Sequence, residues 1–274
     1  MTAGGGRPIG GSTRLFAVLG DPVAQVRAPA LVNPLFAELG LDAVLVPVHV
    51  RPGDLAAVVR GLEAVRNLDG LLVTVPHKFA VCGLAAELGR AAELAGSANA
   101  LRRRPANGDG EAGGWLADNF DGAGFVAGLE HAGHPVAGRR FVLAGAGGAG
   151  TAIATALLQA GAGRLTVCEP DTARLGGLLD RLERHWPGRA RGSAVPLLDG
   201  AEVAVNATPL GLRAGDPLPF SPAELPPGCV VADIVMTPPM TPLLRAAAER
   251  GHPVHHGRHM LDQQLSLYRG FFGL

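Results

Sequence analysis

Two residues in this sequence have the chemistry that a proton transfer requires. Lys78 ends the run D-G-L-L-V-T-V-P-H-K of residues 69–78, and Asp121 lies in the group D-N-F-D-G of residues 118–122. A lysine beside a carboxylate can exchange a proton with a substrate hydroxyl. Taken alone, Lys78 has the character of a surface lysine and Asp121 that of a helix cap. Lys78 is the only lysine in an arginine-rich chain, which favours a role that arginine cannot take.

A glycine-rich stretch has the spacing of a phosphate-binding loop. Residues 145–150 read G-A-G-G-A-G and lie between a short apolar run and an alanine-rich one. Glycines let the backbone turn tightly beside a pyrophosphate, and the start of the following helix offers unpaired N–H groups. The pattern predicts a dinucleotide site formed by Gly145, Gly147, Gly148 and Gly150. The alternative is a plain glycine turn between a strand and a helix.

The choice of dinucleotide depends on Glu169. It lies 24 residues after Gly145 (169 − 145), near the position from which an acidic side chain accepts hydrogen bonds from the 2′-hydroxyl of NAD. The same carboxylate repels the 2′-phosphate of NADP, at about 3 kcal/mol for each unit of like charge at about 5 Å. A solvated acid at a strand end is the alternative, and Arg174 is a candidate for accommodating the phosphate. The sequence predicts NAD as the cofactor, with NADP less favoured.

These candidates need strands and helices to position them. Strand-like and helical stretches alternate in the first part of the chain, which indicates a mostly parallel sheet, and Asp54 is the predicted N-cap of a helix there. The predicted strands are 15–19, 43–50, 71–75, 99–101 and 115–118, and the helices are 28–39, 54–66 and 122–132. From about residue 139 a doubly wound rhythm follows, with strands 141–144, 164–168, 203–206, 229–235 and 253–255 and helices 149–160, 172–186, 243–250 and 260–272. The predicted fold class is α/β with two domains.

Composition narrows the class of protein. The formal net charge is zero, which does not favour a nucleic-acid or membrane surface held by bulk charge, and no apolar run is long enough to cross a bilayer. The three cysteines form no C-x-x-C pair, which favours inert thiols and a cytoplasmic location. Four histidines near the C-terminus lack an acidic partner at a familiar ligand spacing, so no metal site is predicted. These are His252, His255, His256 and His259.

Eight ordered motifs give the chain a resemblance to a known family. They are G-D-P-V (20–23), V-T-V-P-H-K (73–78), A-G-S-A-N (95–99), D-N-F-D-G (118–122), G-A-G-G (145–148), N-A-T-P-L-G (206–211), D-I-V (233–235) with T-P-L-L (241–244), and Gly257 with M-L (260–261) and Gln264. Together they resemble the shikimate/quinate dehydrogenases, enzymes that oxidise a ring hydroxyl or reduce the ketone with a nicotinamide cofactor.

The resemblance assigns roles to residues. It implies a substrate domain over 13–121 and 258–274, with the last helix returning to it, and a Rossmann domain over 122–257. Lys78 and Asp121 take the catalytic positions, and Thr74, Asn99 and Gln264 take substrate-binding ones. Asn206 and Thr208 join the cofactor site. The partners implied are a small cyclic hydroxy acid or polyol and, at most, a second copy in a homodimer.

Five positions depart from the family pattern. The S-x-S-P motif that holds the substrate carboxylate reads V-R-A-P, so Val26 and Ala28 replace both serines. Arg27 would recover a carboxylate only if its side chain turned inward. Further polar positions have become Leu72, Phe120 and Met236. We therefore expect weak activity on shikimate itself.

The sequence can be weighed against two other classes of protein. One is a catalytically silent sensor of the same fold, which the presence of Lys78 and Asp121 disfavours. The other is a short-chain reductase, which needs Y-x-x-x-K. The only tyrosine is Tyr268, and Phe272 stands four residues later, so this second class fails.

Overall fold

The computed structural model describes residues 8–105 and 113–274, and these divide into two compact units. The first unit takes the described residues up to Glu93, those of 97–119, and Tyr268–Leu274; the second takes Leu94–Gly96 and Phe120–Leu267. The predicted α/β class with two domains is confirmed. The predicted boundaries at 121 and 258 stay predictions. Within the described residues, no helix has the length and apolar character needed to cross a membrane.

The first unit is built on a six-stranded mixed sheet. Its elements are β1 (Arg14–Gly20), α1 (Ala28–Glu38), β2 (Ala43–His49), α2 (Leu55–Glu63), β3 (Leu68–Val73), β4 (Glu87–Leu88), most of α3 (Arg90–Ala95), β5 (Ala100–Arg103) and β6 (Trp115–Asp118). The strand order is β2-β1-β3-β5-β6-β4. Strands β1, β2 and β3 are parallel, whereas β5 is antiparallel to both β3 and β6. The start of β5 therefore lies at the edge where β3 ends.

Buried apolar runs explain these strands. Phe16 to Gly20 in β1 and Gly70 to Val73 in β3 are buried without alternation, as expected of central strands covered on both faces. Trp115 in β6 is fully buried and donates its indole N–H to the Val59 carbonyl of α2. Asp54 is the N-cap residue of α2, as predicted, but its carboxylate accepts from Arg51 Nε at 2.8 Å and forms no capping hydrogen bond.

The second unit has the doubly wound architecture. Its elements are α4 (Asp121–His131), β7 (Arg140–Ala144), α5 (Gly148–Gln159), β8 (Arg164–Cys168), α6 (Thr172–His185), β9 (Ala190–Ser193), β10 (Val203–Asn206), β11 (Val230–Asp233), α7 (Pro242–Ala248), β12 (Val254–His256) and α8 (Arg258–Phe272), whose last turn belongs to the first unit. All strands are parallel, in the order β12-β11-β10-β7-β8-β9. The order reverses between β7 and β10, where α/β sheets bind ligands.

Tight packing fixes the first helix of this unit. A β-carbon built at Gly122 in α4 would lie 2.1 Å from the carbonyl oxygen of Ala152 in α5, so only glycine lets the two helices approach this closely.

The sequence did not reveal β4, α3 and β9. These elements are two to six residues long, too short for hydrophobic periodicity to show.

Candidate active site

The loop after β3 carries Thr74 and Lys78 in the first unit. The Thr74 N–H donates to the Leu19 carbonyl at the end of β1 (2.9 Å), and the Lys78 carbonyl accepts from the Ala98 N–H (2.8 Å). Both residues are half-buried. The loop is therefore held by backbone bonds on both sides, so Thr74 and Lys78 lie at the carboxyl end of a central strand, as predicted.

His77 anchors this loop, a function that the sequence did not reveal. Its side chain is 1% exposed, and its Nε2 lies 2.7 Å from the Val50 carbonyl just after β2. The backbone N–H of His77 donates to the Thr74 carbonyl at 2.9 Å. The buried imidazole ties the residue before Lys78 to the segment after β2, which is separated from β3 by β1 in the sheet. Its position inside the V-T-V-P-H-K motif was the only available signal.

Asn99 lies beside this loop. Its backbone carbonyl accepts from the Val73 N–H (2.8 Å), and its N–H donates to the Asp118 carbonyl (3.0 Å). The side chain is buried, and its Nδ2 donates to the Tyr268 hydroxyl at 3.1 Å. The structure thus brings a predicted substrate-binding amide together with a tyrosine that the sequence did not select.

Two polar residues of the D-N-F-D-G motif have structural contacts. The Asp118 carboxylate accepts from the Ala92 N–H in α3 at 2.9 Å. The Asn119 amide donates to the backbone carbonyl and the hydroxyl of Ser97 at 2.9 and 3.0 Å. Since a buried amide needs such partners, these contacts explain why polar side chains occur in this buried segment.

Asp121 and Gln264 meet in the second unit. The Gln264 amide donates to the Asp121 carboxylate at 3.2 Å, and both side chains are at most 3% exposed. Asp121 is the first residue of α4, with Phe120 at the N-cap. A β-carbon at Gly124 would lie 2.7 Å from Gln264 Cγ, so glycine makes room for the amide. The structure therefore places one predicted substrate residue on the predicted catalytic carboxylate.

The glycine loop after β7 has the shape of a phosphate cradle. Gly145 has a φ of +99°, and a β-carbon at Gly150 would lie 2.2 Å from the Gly145 carbonyl oxygen. At Gly147, by contrast, a β-carbon would meet no atom within 4 Å. Gly148 begins α5, whose first N–H groups point toward this end of the sheet. Two glycines shape the turn, and Gly147 leaves open space that fits a pyrophosphate.

Asn206 and Thr208 support this loop from β10. The Asn206 Oδ1 accepts from the Thr208 hydroxyl (2.6 Å), while its amide donates to the Asp233 carboxylate (3.0 Å). Burial raises the pKa of Asp233, although hydrogen bonds from Thr241, Val235 and Asn206 oppose the shift. The network fixes the residues that pack against Gly145.

Glu169 follows β8 at the same end of the sheet. It is 7% exposed, and its carboxylate accepts from the Ala146 N–H of the glycine loop at 2.9 Å and from the Asp171 N–H at 3.1 Å. Arg174 Nη1 lies 3.5 Å from the same carboxylate. The alternative of a merely solvated acid is therefore wrong. A carboxylate fixed beside the glycine loop fits an adenosine ribose.

The segment before α1 differs from what a rebuilt carboxylate site would need. Arg27 is exposed and forms the N-cap of α1 without a side-chain capping bond. Val26 is half-buried and Ala28 is buried. The sequence left open that the Arg27 side chain turns inward to hold a carboxylate. In the structure this side chain is exposed.

The cysteines and histidines form no evident reaction centre. Burial raises the pKa of the Cys82 and Cys229 thiols to about 11, which disfavours the nucleophilic thiolate. His255 is buried with both ring nitrogens lacking a hydrogen bond, and its ring stacks on His259 at 4.8 Å. In the described ranges 8–105 and 113–274, no group of three or more His, Cys, Asp or Glu residues is placed to hold a metal ion.

Comparisons with known proteins give relatives over nearly the whole chain. The family of the shikimate dehydrogenase substrate binding domain matches residues 18–101. The shikimate dehydrogenase (NADP(+)) of Rubrobacter xylanophilus is 42% identical, over 96% of this chain and 89% of that protein. The enzyme of the same name from Acidiphilium cryptum is 40% identical, over 97% and 93% of the two chains.

Solved structures extend the comparison to the fold. The ligand-free 5-ketofructose reductase of Gluconobacter sp. strain CHM43 has a TM-score of 0.82 at 28% identity, covering 96% of this chain and 94% of that one. The quinate dehydrogenase of Corynebacterium glutamicum, in complex with NAD, has a TM-score of 0.81 at 27% identity with the same coverage. With relatives at 40–42% identity over nearly its whole length, the chain belongs to the shikimate dehydrogenase family.

Proposed function

We propose that this protein is a nicotinamide-dependent dehydrogenase that reversibly oxidises a ring hydroxyl of shikimate, quinate or a related cyclic polyol. The observation that carries the proposal is that five motif residues for catalysis and substrate binding are present in a chain 42% identical to a shikimate dehydrogenase, although the two serines of the carboxylate motif are replaced. These residues are Lys78, Asp121, Thr74, Asn99 and Gln264. The silent-sensor alternative lacks such support, because a sensor does not need a proton-transfer pair.

Lys78 and Asp121 are the proposed catalytic residues. A bound nicotinamide cofactor supplies the hydride acceptor. The Lys78 ammonium group exchanges the proton of the reacting hydroxyl, a task that an arginine cannot share because it does not deprotonate in proteins. Asp121 is the proposed acceptor of a hydrogen bond from a substrate hydroxyl, and the Gln264 amide at 3.2 Å holds its carboxylate in place.

We propose that NAD is preferred over NADP. The support is Glu169, whose fixed carboxylate accepts hydrogen bonds from a ribose hydroxyl and repels a 2′-phosphate. The curated relatives named above carry NADP(+) in their names, whereas the quinate dehydrogenase was solved with NAD. Arg174 pairs with Glu169 and reduces the repulsion. We therefore expect the kcat/KM with NADP to be about tenfold lower than with NAD. This corresponds to about 1.4 kcal/mol, which is less than the about 3 kcal/mol expected for an unpaired charge.

We expect binding of the preferred substrate to rely less on a carboxylate group than binding of shikimate does. Val26 and Ala28 offer no hydroxyl, and Arg27 is exposed. One structural neighbour is named for 5-ketofructose, a sugar without a carboxylate. The cytoplasmic location, and the monomer or homodimer expected from the sequence, stay predictions.

A two-cofactor substrate screen tests the proposal. Shikimate, quinate, aminated analogues and cyclitols are each assayed with NAD and with NADP. Turnover of a panel compound with an NAD-to-NADP ratio of kcat/KM near ten supports the proposal, and Glu169→Gln should lower that ratio. Equal efficiency with both cofactors contradicts the cofactor preference. Binding without turnover across the panel favours the sensor instead.

A further inference from the structure

Tyr268 is a buried tyrosine whose hydroxyl group lies inside the first unit. It is the only tyrosine in the chain, it is 6% exposed, and it lies in the last turns of α8. Its hydroxyl accepts from Asn99 Nδ2 at 3.1 Å, and Asn99 is itself 3% exposed. A phenylalanine would fill the same apolar space without a buried hydroxyl, which needs a partner. The hydroxyl therefore has a purpose tied to Asn99.

The phenol ring is held rigidly. It packs against Phe272 with ring centroids 6.2 Å apart, and Phe272 packs edge-on against Phe16 in β1 at 5.3 Å. A β-carbon at Gly70 would lie 2.3 Å from Phe272, so β3 also confines this aromatic group. Because the ring has little freedom, its hydroxyl is a fixed point for the Asn99 amide.

The Asn99 amide has reason to need such a fixed point. Its backbone is bonded on both sides, to Val73 and Asp118, and rotation of its side chain about χ1 and χ2 is restrained by the bond to Tyr268. An amide that rotates by half a turn exchanges a donor for an acceptor toward the ligand. In the structure the Asn99 NH₂ group donates to the Tyr268 hydroxyl, and this bond restrains rotation of the amide.

We propose that Tyr268 is a substrate-positioning residue that holds the Asn99 amide in the orientation in which it meets the ring hydroxyls of the substrate. The inference rests on the proposed function, which makes Asn99 a substrate-binding residue. It predicts an effect on substrate affinity that is transmitted through Asn99. It predicts a smaller effect on the chemical step, because the proposed action of Tyr268 passes through Asn99, a substrate-binding residue, and not through Lys78 or Asp121.

The test compares Tyr268→Phe with the wild type in ligand binding and in turnover. Loss of one neutral hydrogen bond should weaken binding of the best panel compound, measured calorimetrically, by about threefold to tenfold. KM should rise by the same factor while kcat stays within about twofold. Phe271→Leu is the matched control, since it alters an aromatic of the same helix that lies under Arg102, 5.5 Å from the guanidinium.

Asn99→Ala decides whether the effect passes through the amide. In that background Tyr268→Phe should change affinity by less than about twofold, because the partner of the hydroxyl is gone. An unchanged affinity of Tyr268→Phe, or an equal loss in both backgrounds, overturns the inference. If no panel compound is turned over, the proposed function fails by itself, and the calorimetric comparison still decides the role of Tyr268. If the wild type binds no panel compound at all, both are overturned.

Discussion

The two units build their candidate sites from different parts of the chain. In the second unit the cofactor site consists largely of backbone: a turn that requires Gly145 and Gly150, the first N–H groups of α5, and one carboxylate, Glu169. In the first unit the candidate groups are side chains, among them Lys78 and Asn99. These depend on partners far away in sequence, such as Tyr268.

This difference has consequences for specificity. A site made of backbone recognises a group common to many ligands, here a pyrophosphate, and it changes only when a glycine gains a side chain. A site made of side chains can change its ligand by a few substitutions without loss of the fold. Three of the five family departures, Val26, Ala28 and Leu72, fall in the first unit, and the other two fall in the second. Variants in the first unit should therefore alter substrate parameters, and variants in the glycine loop should alter cofactor parameters.

The largest expected effect comes from restoring the two family hydroxyls. Two charge-assisted hydrogen bonds at about 1.5–3 kcal/mol each correspond to about 10²- to 10⁴-fold in affinity. Val26→Ser with Ala28→Ser should lower the KM for shikimate by about 100-fold or more, with the KM for NAD unchanged. Steady-state kinetics of the double variant measure both constants.

The control for this variant is Val46→Ser in the exposed edge strand β2, which should leave both constants unchanged. Two results would contradict the explanation. One is a shikimate KM that barely responds to the two serines. The other is a micromolar wild-type KM that Arg27→Ala abolishes, which would mean that the carboxylate site had been rebuilt around the arginine.

Removal of the proposed proton carrier comes next. Lys78→Ala should lower kcat by about 10²-fold or more, while NADH binding, followed by nicotinamide fluorescence, stays at the wild-type level. Lys78→Arg should be almost as inactive, since an arginine keeps its proton. The control is Arg90→Ala, an exposed cation of α3. A kcat of Lys78→Ala within threefold of wild type would refute this role.

The contrast between the units also explains what the sequence could predict. The glycine spacing and the distance to Glu169 are local patterns, so the cofactor loop and its carboxylate were predictable. The strands β1 and β3 were equally evident, because the apolar runs of residues 16–19 and 71–73 within them are continuous. The Asn99–Tyr268 and His77–Val50 contacts were not predictable. They join residues 169 and 27 positions apart, and only the packed fold determines which distant side chains meet.

A smaller effect is expected from one methyl group in the glycine loop. A β-carbon at Gly147 meets no protein atom within 4 Å, and the φ of −71° suits alanine, so Gly147→Ala should fold normally. The methyl group would occupy the space proposed for the pyrophosphate and weaken NAD binding about tenfold or more, that is by about 1.4 kcal/mol. Equilibrium titration with NADH measures the affinity.

Gly176→Ala is the matched control for this loop variant. Gly176 lies inside α6, also with no atom within 4 Å of a built β-carbon. There alanine should stabilise the helix by about 0.5–1 kcal/mol without altering NADH binding. If Gly147→Ala binds NADH as tightly as this control, the loop does not hold the pyrophosphate.

The smallest expected effect is a loss of folding stability at low pH, which arises from a difference between the buried histidines of the two units. His77 of the first unit has its Nε2 2.7 Å from the Val50 carbonyl, whereas His255 of the second unit lacks a partner at either nitrogen. The pKa of His255 is lowered from 6.5 to about 4. The largest cause is burial, and smaller contributions come from the charges of His259, His134 and His256. The unfolded chain therefore takes up a proton in the range between these values while the folded unit does not. Stability contributed above pH 6.5 is accordingly lost as the pH falls toward 4.

After allowance for solvent screening, the loss at pH 5 should be about 1 kcal/mol. Urea unfolding of the wild type and of His255→Phe at pH 7.5 and pH 5 measures it. Phenylalanine keeps the aromatic packing against Phe125, whose ring centroid lies 6.0 Å away, and cannot be protonated. The variant should lose less stability between the two pH values than the wild type does. Equal losses would mean that acid sensitivity arises elsewhere, and the contrast between the two buried histidines would then have no thermodynamic consequence.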